Sequence, residues 1–189
     1  KIFQQNTFGS GEAREQLVSK TINILNNQQI PNDLKNQFVK LTDEQIKIHL
    51  ANFSQDARSY QFFGSFLSAI GNNKQGLDYL LKAQALSPKK QQILFELIGA
   101  YVRAQDAPRA LALAKEVYDL DPTYTEARKI YALVLLMTNQ NKLAQELLSP
   151  IKNSPNYYND DRFLNLYQQL GDQTSVQEIK NLQSGANKK

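Results

Sequence analysis

Apolar residues recur at helical spacing along almost the whole chain, in short segments separated by polar turns. From Ala57 onward the segments come in pairs. Tyr60, Phe63, Gly64 and Leu67 share one helix face, Asn72-Asn73-Lys74 interrupts, and Leu77, Leu80 and Ala83 line a second helix, since residues three and four apart lie on the same side of a helix. Gln105-Asp106-Ala107 and Asn139-Gln140-Asn141 interrupt the pattern in the same way further on. Each unit therefore reads as helix, turn, helix, and one such pair buries its apolar face only by stacking on neighbours.

The units repeat with a period of 34 residues: Pro88 and Pro122 stand 34 apart, and so do Gly76, Ala110 and Ala144, which are small where paired helices would cross. Three repeats follow at 57–90, 91–124 and 125–158. A degenerate capping pair fills 159–183, with Phe163, Leu164 and Tyr167 before the Gly171-Asp172 turn and Val176, Ile179 and Leu182 after it. The stretch 184–189 reads as a polar tail. Residues 11–56 lack the repeat but stay helical in pattern. Leu17, Val18, Ile22 and Leu25 mark a first helix, Pro31 opens a second with Leu34, Phe38 and Leu41, and Thr42 with Gln45 makes a capping box for a third carrying Ile46, Leu50 and a core-facing Phe53. Residues 1–10 are expected to be extended, with Ile2, Phe3 and Phe8 free to tuck onto the core or to clip into another copy.

The second unit supplies Leu94, Leu97, Tyr101, Ala110, Val117 and Pro122, and the third Tyr131, Ala132, Leu135, Ala144 and Ile151. This pattern resembles the tetratricopeptide repeat. Tryptophan is missing from the first large position, Arg128 stands there in the third unit, and that unit's proline is displaced to Pro155. The resemblance implies an all-α, right-handed superhelical solenoid of antiparallel helix pairs, with ligand contacts on the concave face of the first helices. Carried over, those positions are Arg58, Gln61, Phe62 and Ser65 in the first unit, Gln92, Phe95, Val102 and Arg103 in the second, and Lys129, Leu133, Leu136 and Met137 in the third. The run Ile130–Met137 is apolar on every face, so either the last helix pair or another chain must cover it.

Composition narrows the chemistry. Cysteine is absent, which removes disulfides and thiolate sites, and the one histidine, His49, lies in a helical stretch as a structural residue. No catalytic, cofactor or metal constellation is visible. Gly71 and Gly76 frame a Gly-x-x-x-x-Gly spacing, but Leu77 and Asp78 follow where a phosphate loop needs Lys and Ser or Thr, so it reads as a turn. Asp160-Asp161 reads as a helix cap. The net charge of +4 is spread among acidic residues, arguing against nucleic acid. Asn52-Phe53-Ser54 is a weak glycosylation candidate at Asn52.

The chain begins at Lys1 and its only methionine is Met137, so an upstream segment is expected, and any membrane attachment would lie there. From Phe8-Gly9-Ser10-Gly11 through Asp56-Ala57-Arg58 to Asp121-Pro122-Thr123-Tyr124 the chain also resembles the soluble C-terminal tail of bacterial O-antigen-ligase-like membrane proteins. That resemblance implies an extracytoplasmic or cell-surface location, with a cytoplasmic one left open, and possible glycan association. Two functions follow. One is a non-catalytic scaffold for a protein or peptide partner. The other is a structural subunit that joins copies of itself end to end in an extracellular filament.

Overall fold

A computed structural model describes residues 8–186. The helices run α1 (Phe8–Asn26), α2 (Asn32–Asn52), α3 (Ala57–Ala69), α4 (Asn73–Leu86), α5 (Gln91–Arg103), α6 (Ala107–Leu120), α7 (Thr125–Met137), α8 (Asn141–Leu148), α9 (Pro155–Tyr158), α10 (Asp161–Leu170) and α11 (Gln173–Ala186). A 3-10 turn, Ser149–Ile151, follows α8. The described residues contain no strand. The chain divides into two compact units, Lys1–Ala100 and Tyr101–Lys189.

The 34-residue period is written in the backbone as well as in the side chains. Gly71, Gln105 and Asn139 all take positive φ (86°, 58° and 59°), at one and the same place in successive turns. There the backbone N–H of Asn72, Asp106 and Gln140 donates to the carbonyl of Leu67, Tyr101 and Leu135, five residues back. This is the Schellman closure, which satisfies a helix-end carbonyl through one left-handed residue. The last pair repeats it with Gly171 (φ 73°) and the bond from Asp172 N–H to Tyr167 O. Asp106 and Asp172 then turn their carboxylates onto the first backbone N–H groups of the next helix. One residue thus ends one helix and starts the next.

In the first unit Val18, Ile46, Leu50, Phe63, Phe66 and Leu67 form the core, with Ile22, Tyr60, Phe62, Ile70 and Tyr79 against it. Polar residues share that core. Thr21 and Thr42 lie 2.7 Å apart across α1 and α2, and each hydroxyl also reaches a carbonyl one turn back, Leu17 and Phe38. Two hydroxyl protons face three short contacts, so one of the three carries no proton at any moment. The expected third N-terminal helix is therefore corrected. Thr42 caps nothing and sits buried inside the continuous 21-residue α2, because no Gly or Pro breaks Lys40-Leu41-Thr42 and the threonine side chain finds its partner on α1.

The correction moves the inner line. Leu34 and Leu41, expected inside, are 40% and 41% exposed, while Thr42, Ile46, His49 and Leu50 face inward. Phe53, expected in the core, ends α2 and is exposed, tilted over His49 at 4.7 Å between ring centres. Helix α1 takes in Phe8–Ser10, which lack the apolar pattern and were expected to be extended. At Gly11 the helix runs close to α2: a Cβ there would touch His49 Cε1 at 3.4 Å. Ile2 and Phe3 lie outside the described residues.

In the second unit α7 packs against α6, α8 and α10, and α11 packs against α9 and α10. Tyr131, Ala132, Val134, Leu135 and Leu136 of the all-apolar run are buried. Cover from within the chain, by α6, α8 and α10, accounts for them. Arg128, which stands where the repeat pattern asks for a large aromatic residue, makes a substitute contact. Its guanidinium lies 5.5 Å over the Tyr118 ring and donates to Leu147 O at 3.1 Å and Pro122 O at 2.8 Å. It ties the ends of α6 and α8 to α7. Replacing Arg128 with alanine is expected to cost about 1–3 kcal/mol, from charge-assisted hydrogen bonds and the cation–π contact. Lysine should recover less than half, having no planar fork to bridge two carbonyls. Urea denaturation checks both, and a loss under about 0.5 kcal/mol for alanine would refute the bridge.

Candidate functional site

The positions expected to face a ligand separate into three groups. Gln61 and Leu136 are buried in the packing and offer nothing to a partner. Arg58 is exposed but paired with Glu15 at 3.0 Å, and the Ser65 hydroxyl donates to Gln61 O at 3.1 Å. Phe62 is half-buried edge-on to Phe63, Phe95 is half-buried, and Gln92 is exposed. All of these but Leu136 belong to the first unit.

The second unit holds Val102, half-buried, and Arg103, exposed in the last turn of α5. On α7 the accessible face is sharper. Ile130, Leu133 and Met137 stand at i, i+3 and i+7, hence on one side of the helix. Ile130 and Leu133 are half-buried and Met137 is 47% exposed. The neighbouring faces carry the buried residues. A narrow apolar strip, one residue wide and two turns long, therefore reaches solvent from an otherwise covered helix.

A charged cluster bounds the strip at the N-terminal end of α7. Lys129 Nζ lies 2.9 Å from Glu126 and 2.7 Å from Asp160. Arg162 spans the same two carboxylates, at 2.7 Å to Glu126 and 2.6 Å to Asp160. Lys129, read from the sequence as a ligand contact, is thus buried and committed to holding α10 on α7. Asp160 is also the N-cap of α10, its carboxylate accepting from the Arg162 backbone N–H. The expected capping role stands, with a larger one beside it that sequence spacing alone does not reveal, because Lys129 and Asp160 are 31 residues apart.

Burial alone would raise the pKa of Asp160, but the hydrogen bonds and charges of Arg162 and Lys129 outweigh it and hold the carboxyl at about 2. The same contest lowers Glu126 and raises Lys129. Beside the cluster a shallow, solvent-open depression of about 470 Å³ is lined by Lys129, Pro155, Asn156, Asn159, Asp160 and Asp161. It mixes amides with carboxylates and holds no histidine.

His49, the only histidine, is buried in the first unit with its Nε2 2.9 Å from Ser59 Oγ. Among the described residues no group of three or more His, Cys, Asp or Glu could hold a metal, and no helix is long and apolar enough to cross a membrane. Asn52 is exposed on the last turn of α2, its side-chain amide donating to Ile48 O at 2.7 Å.

Residues 101–170 match the tetratricopeptide repeat family. No curated protein matches the chain in sequence. Among solved structures it is similar to MamA, with a TM-score of 0.59 and 14% identity over 82% of this chain and 96% of that one. It is similar also to YrrB, described as a tetratricopeptide repeat protein with an unusual peptide-binding site (TM-score 0.58, 16% identity, 89% and 80% covered). PilF of Pseudomonas aeruginosa compares at a TM-score of 0.56 and 15% identity, with 89% and 72% covered. The turn geometry and these likenesses agree: the chain has the all-α fold of tetratricopeptide-type helix pairs, and residues 101–170 match the tetratricopeptide repeat.

Proposed function

We propose that the chain is a non-catalytic scaffold that binds a peptide or a segment of a protein, with the α7 strip as its principal contact in the second unit. The observation that carries the reading is Met137, 47% exposed at the end of a helix whose other faces are covered, with Ile130 and Leu133 beside it. A half-buried apolar strip loses water on binding at little cost in side-chain ordering, because its neighbours already hold it. One neighbour in fold is described as peptide-binding, which supports this class of partner. The inventory of side chains favours binding over catalysis, since the sole histidine is spent in the core. An extracytoplasmic location and glycan association rest on the sequence resemblance alone, and the filament reading on end-to-end contact of terminal helices with Ile2, Phe3 and Phe8, of which Ile2 and Phe3 lie outside the described residues.

The test is selection of peptides from a displayed random library on the wild-type protein, followed by titration against Met137→Asp and Leu133→Lys. Selected peptides should bind each variant at least about tenfold more weakly, a loss of roughly 1.4 kcal/mol, while the denaturation midpoint stays near that of the wild type. Unchanged affinity on both variants would place the contact elsewhere. Failure to enrich any peptide would sink the scaffold reading.

A further inference from the structure

The core between α1, α2 and α3 contains an unusual line of polar groups. Ser59, on α3, donates its hydroxyl proton to Asp56 Oδ2 at 2.5 Å and lies 2.9 Å from His49 Nε2 on α2. Because the serine proton is used on the carboxylate, Ser59 Oγ accepts from His49, which places the imidazole proton on Nε2. Nδ1 is then a bare acceptor, buried and without a hydrogen-bond partner among the described residues. A second proton could go nowhere else on the ring.

What surrounds Nδ1 does not welcome that proton. Arg14 of α1, 1% exposed, sets its positive charge against the ring, and Asp56 opposes it. Phe53 and Phe63 close two sides of the ring at 4.7 and 5.6 Å between centres. Glu15, next on α1, is occupied by Arg58. Burial first and Arg14 second push the His49 pKa below its ordinary value.

We propose that His49 is an acid-sensitive latch: the neutral ring ties α2 to the start of α3, and its protonation loosens α1 and α2 from α3. The sign follows from linkage. A histidine whose folded pKa is depressed contributes its full stability above the ordinary value near 6.5, and that contribution falls as the pH drops below it toward the folded pKa. Opening would uncover Val18, Ile46, Leu50, Phe63 and Leu67, the apolar face that α1 and α2 share with α3. The chain has one histidine and no cysteine, and every carboxylate with a resolved shift is moved down, away from this range.

Amide exchange in the full chain at pH 7 and pH 5, expressed as protection factors, tests the latch. Protection in α1, α2 and the first turns of α3 should fall by up to about 25-fold, the ceiling for one group of ordinary pKa 6.5 over that interval, while α7 and α8 keep theirs. His49→Gln should abolish the pH dependence, and Arg14→Met should reduce it. If the variants fail to fold, the wild-type His49 ring resonance decides alone. A titration midpoint below 6.5 that coincides with loss of protection in α1 and α2 supports the latch. An ordinary midpoint, or protection independent of pH, overturns it.

Discussion

Gly76→Ala is expected to destabilise the first unit by about 1–3 kcal/mol, the range for forcing a methyl group into a filled interface, despite the roughly 1 kcal/mol that alanine gains over glycine inside a helix. A Cβ there would overlap Ser68 Oγ and lie 2.8 Å from Gly64 O and 3.0 Å from Ser68 N. Two of those three atoms are backbone, so no rotamer change relieves the overlap and α3 must move away from α4. Gly64 is the other half of the crossing: its Cβ would stand 2.9 Å from Leu80 Cγ and 3.0 Å from Gly76 O. Gly185→Ala, where a Cβ meets open space within α11, is the control and should be neutral or slightly stabilising. Urea denaturation compares them, and a Gly76→Ala protein as stable as the wild type would mean the helices are further apart than described.

Asp160→Ala should cost about 2–4 kcal/mol, lying below the upper end for a broken buried ion pair because Glu126 still holds Lys129. The loss has two sources. The N-cap of α10 goes, worth about 1 kcal/mol, and Lys129 keeps one carboxylate instead of two in a site where the Lys129 and Asp160 side chains are only 11% and 10% exposed. The pH dependence gives a second signature. With its carboxyl held at about 2 in the folded chain, Asp160 stabilises fully above its ordinary pKa of 3.8, and that contribution is lost as the pH falls from 3.8 toward 2. The variant should therefore lose less stability than the wild type over that window. Equal acid sensitivity in the two proteins, measured by urea denaturation at each pH, would contradict the account.

The fold was legible where packing obeys a period. Helix pairs, their turns and the small residues at Gly76, Ala110 and Ala144 follow from spacing alone, because each repeat solves the same packing problem with the same positions. Misreadings cluster where polar side chains enter the core. Thr42 looked like a cap since threonine at a helix start is common, yet its hydroxyl pairs with Thr21 across two helices, and no local pattern announces a partner 21 residues away. Arg14 and His49 escaped the inner line for the same reason. At the candidate site, Ile130, Leu133 and Met137 could be placed on one face from spacing, whereas the burial of Lys129 depended on Asp160, a charge brought in by a later helix. Arg128 shows the converse. It departs from the repeat pattern at the first large position, and the Tyr118 ring and two carbonyls account for it.

The claim on which the binding strip depends is that α7 is covered by its own chain except along Ile130, Leu133 and Met137. Amide hydrogen exchange of the monomeric protein at neutral pH tests it most directly. The account predicts strong protection from Tyr131 to Leu136, comparable with the most protected helices, together with rapid exchange at the end of α11, where helix termini fray. Fast exchange throughout α7 in the monomer would contradict it, because the apolar run would then need another chain for its cover.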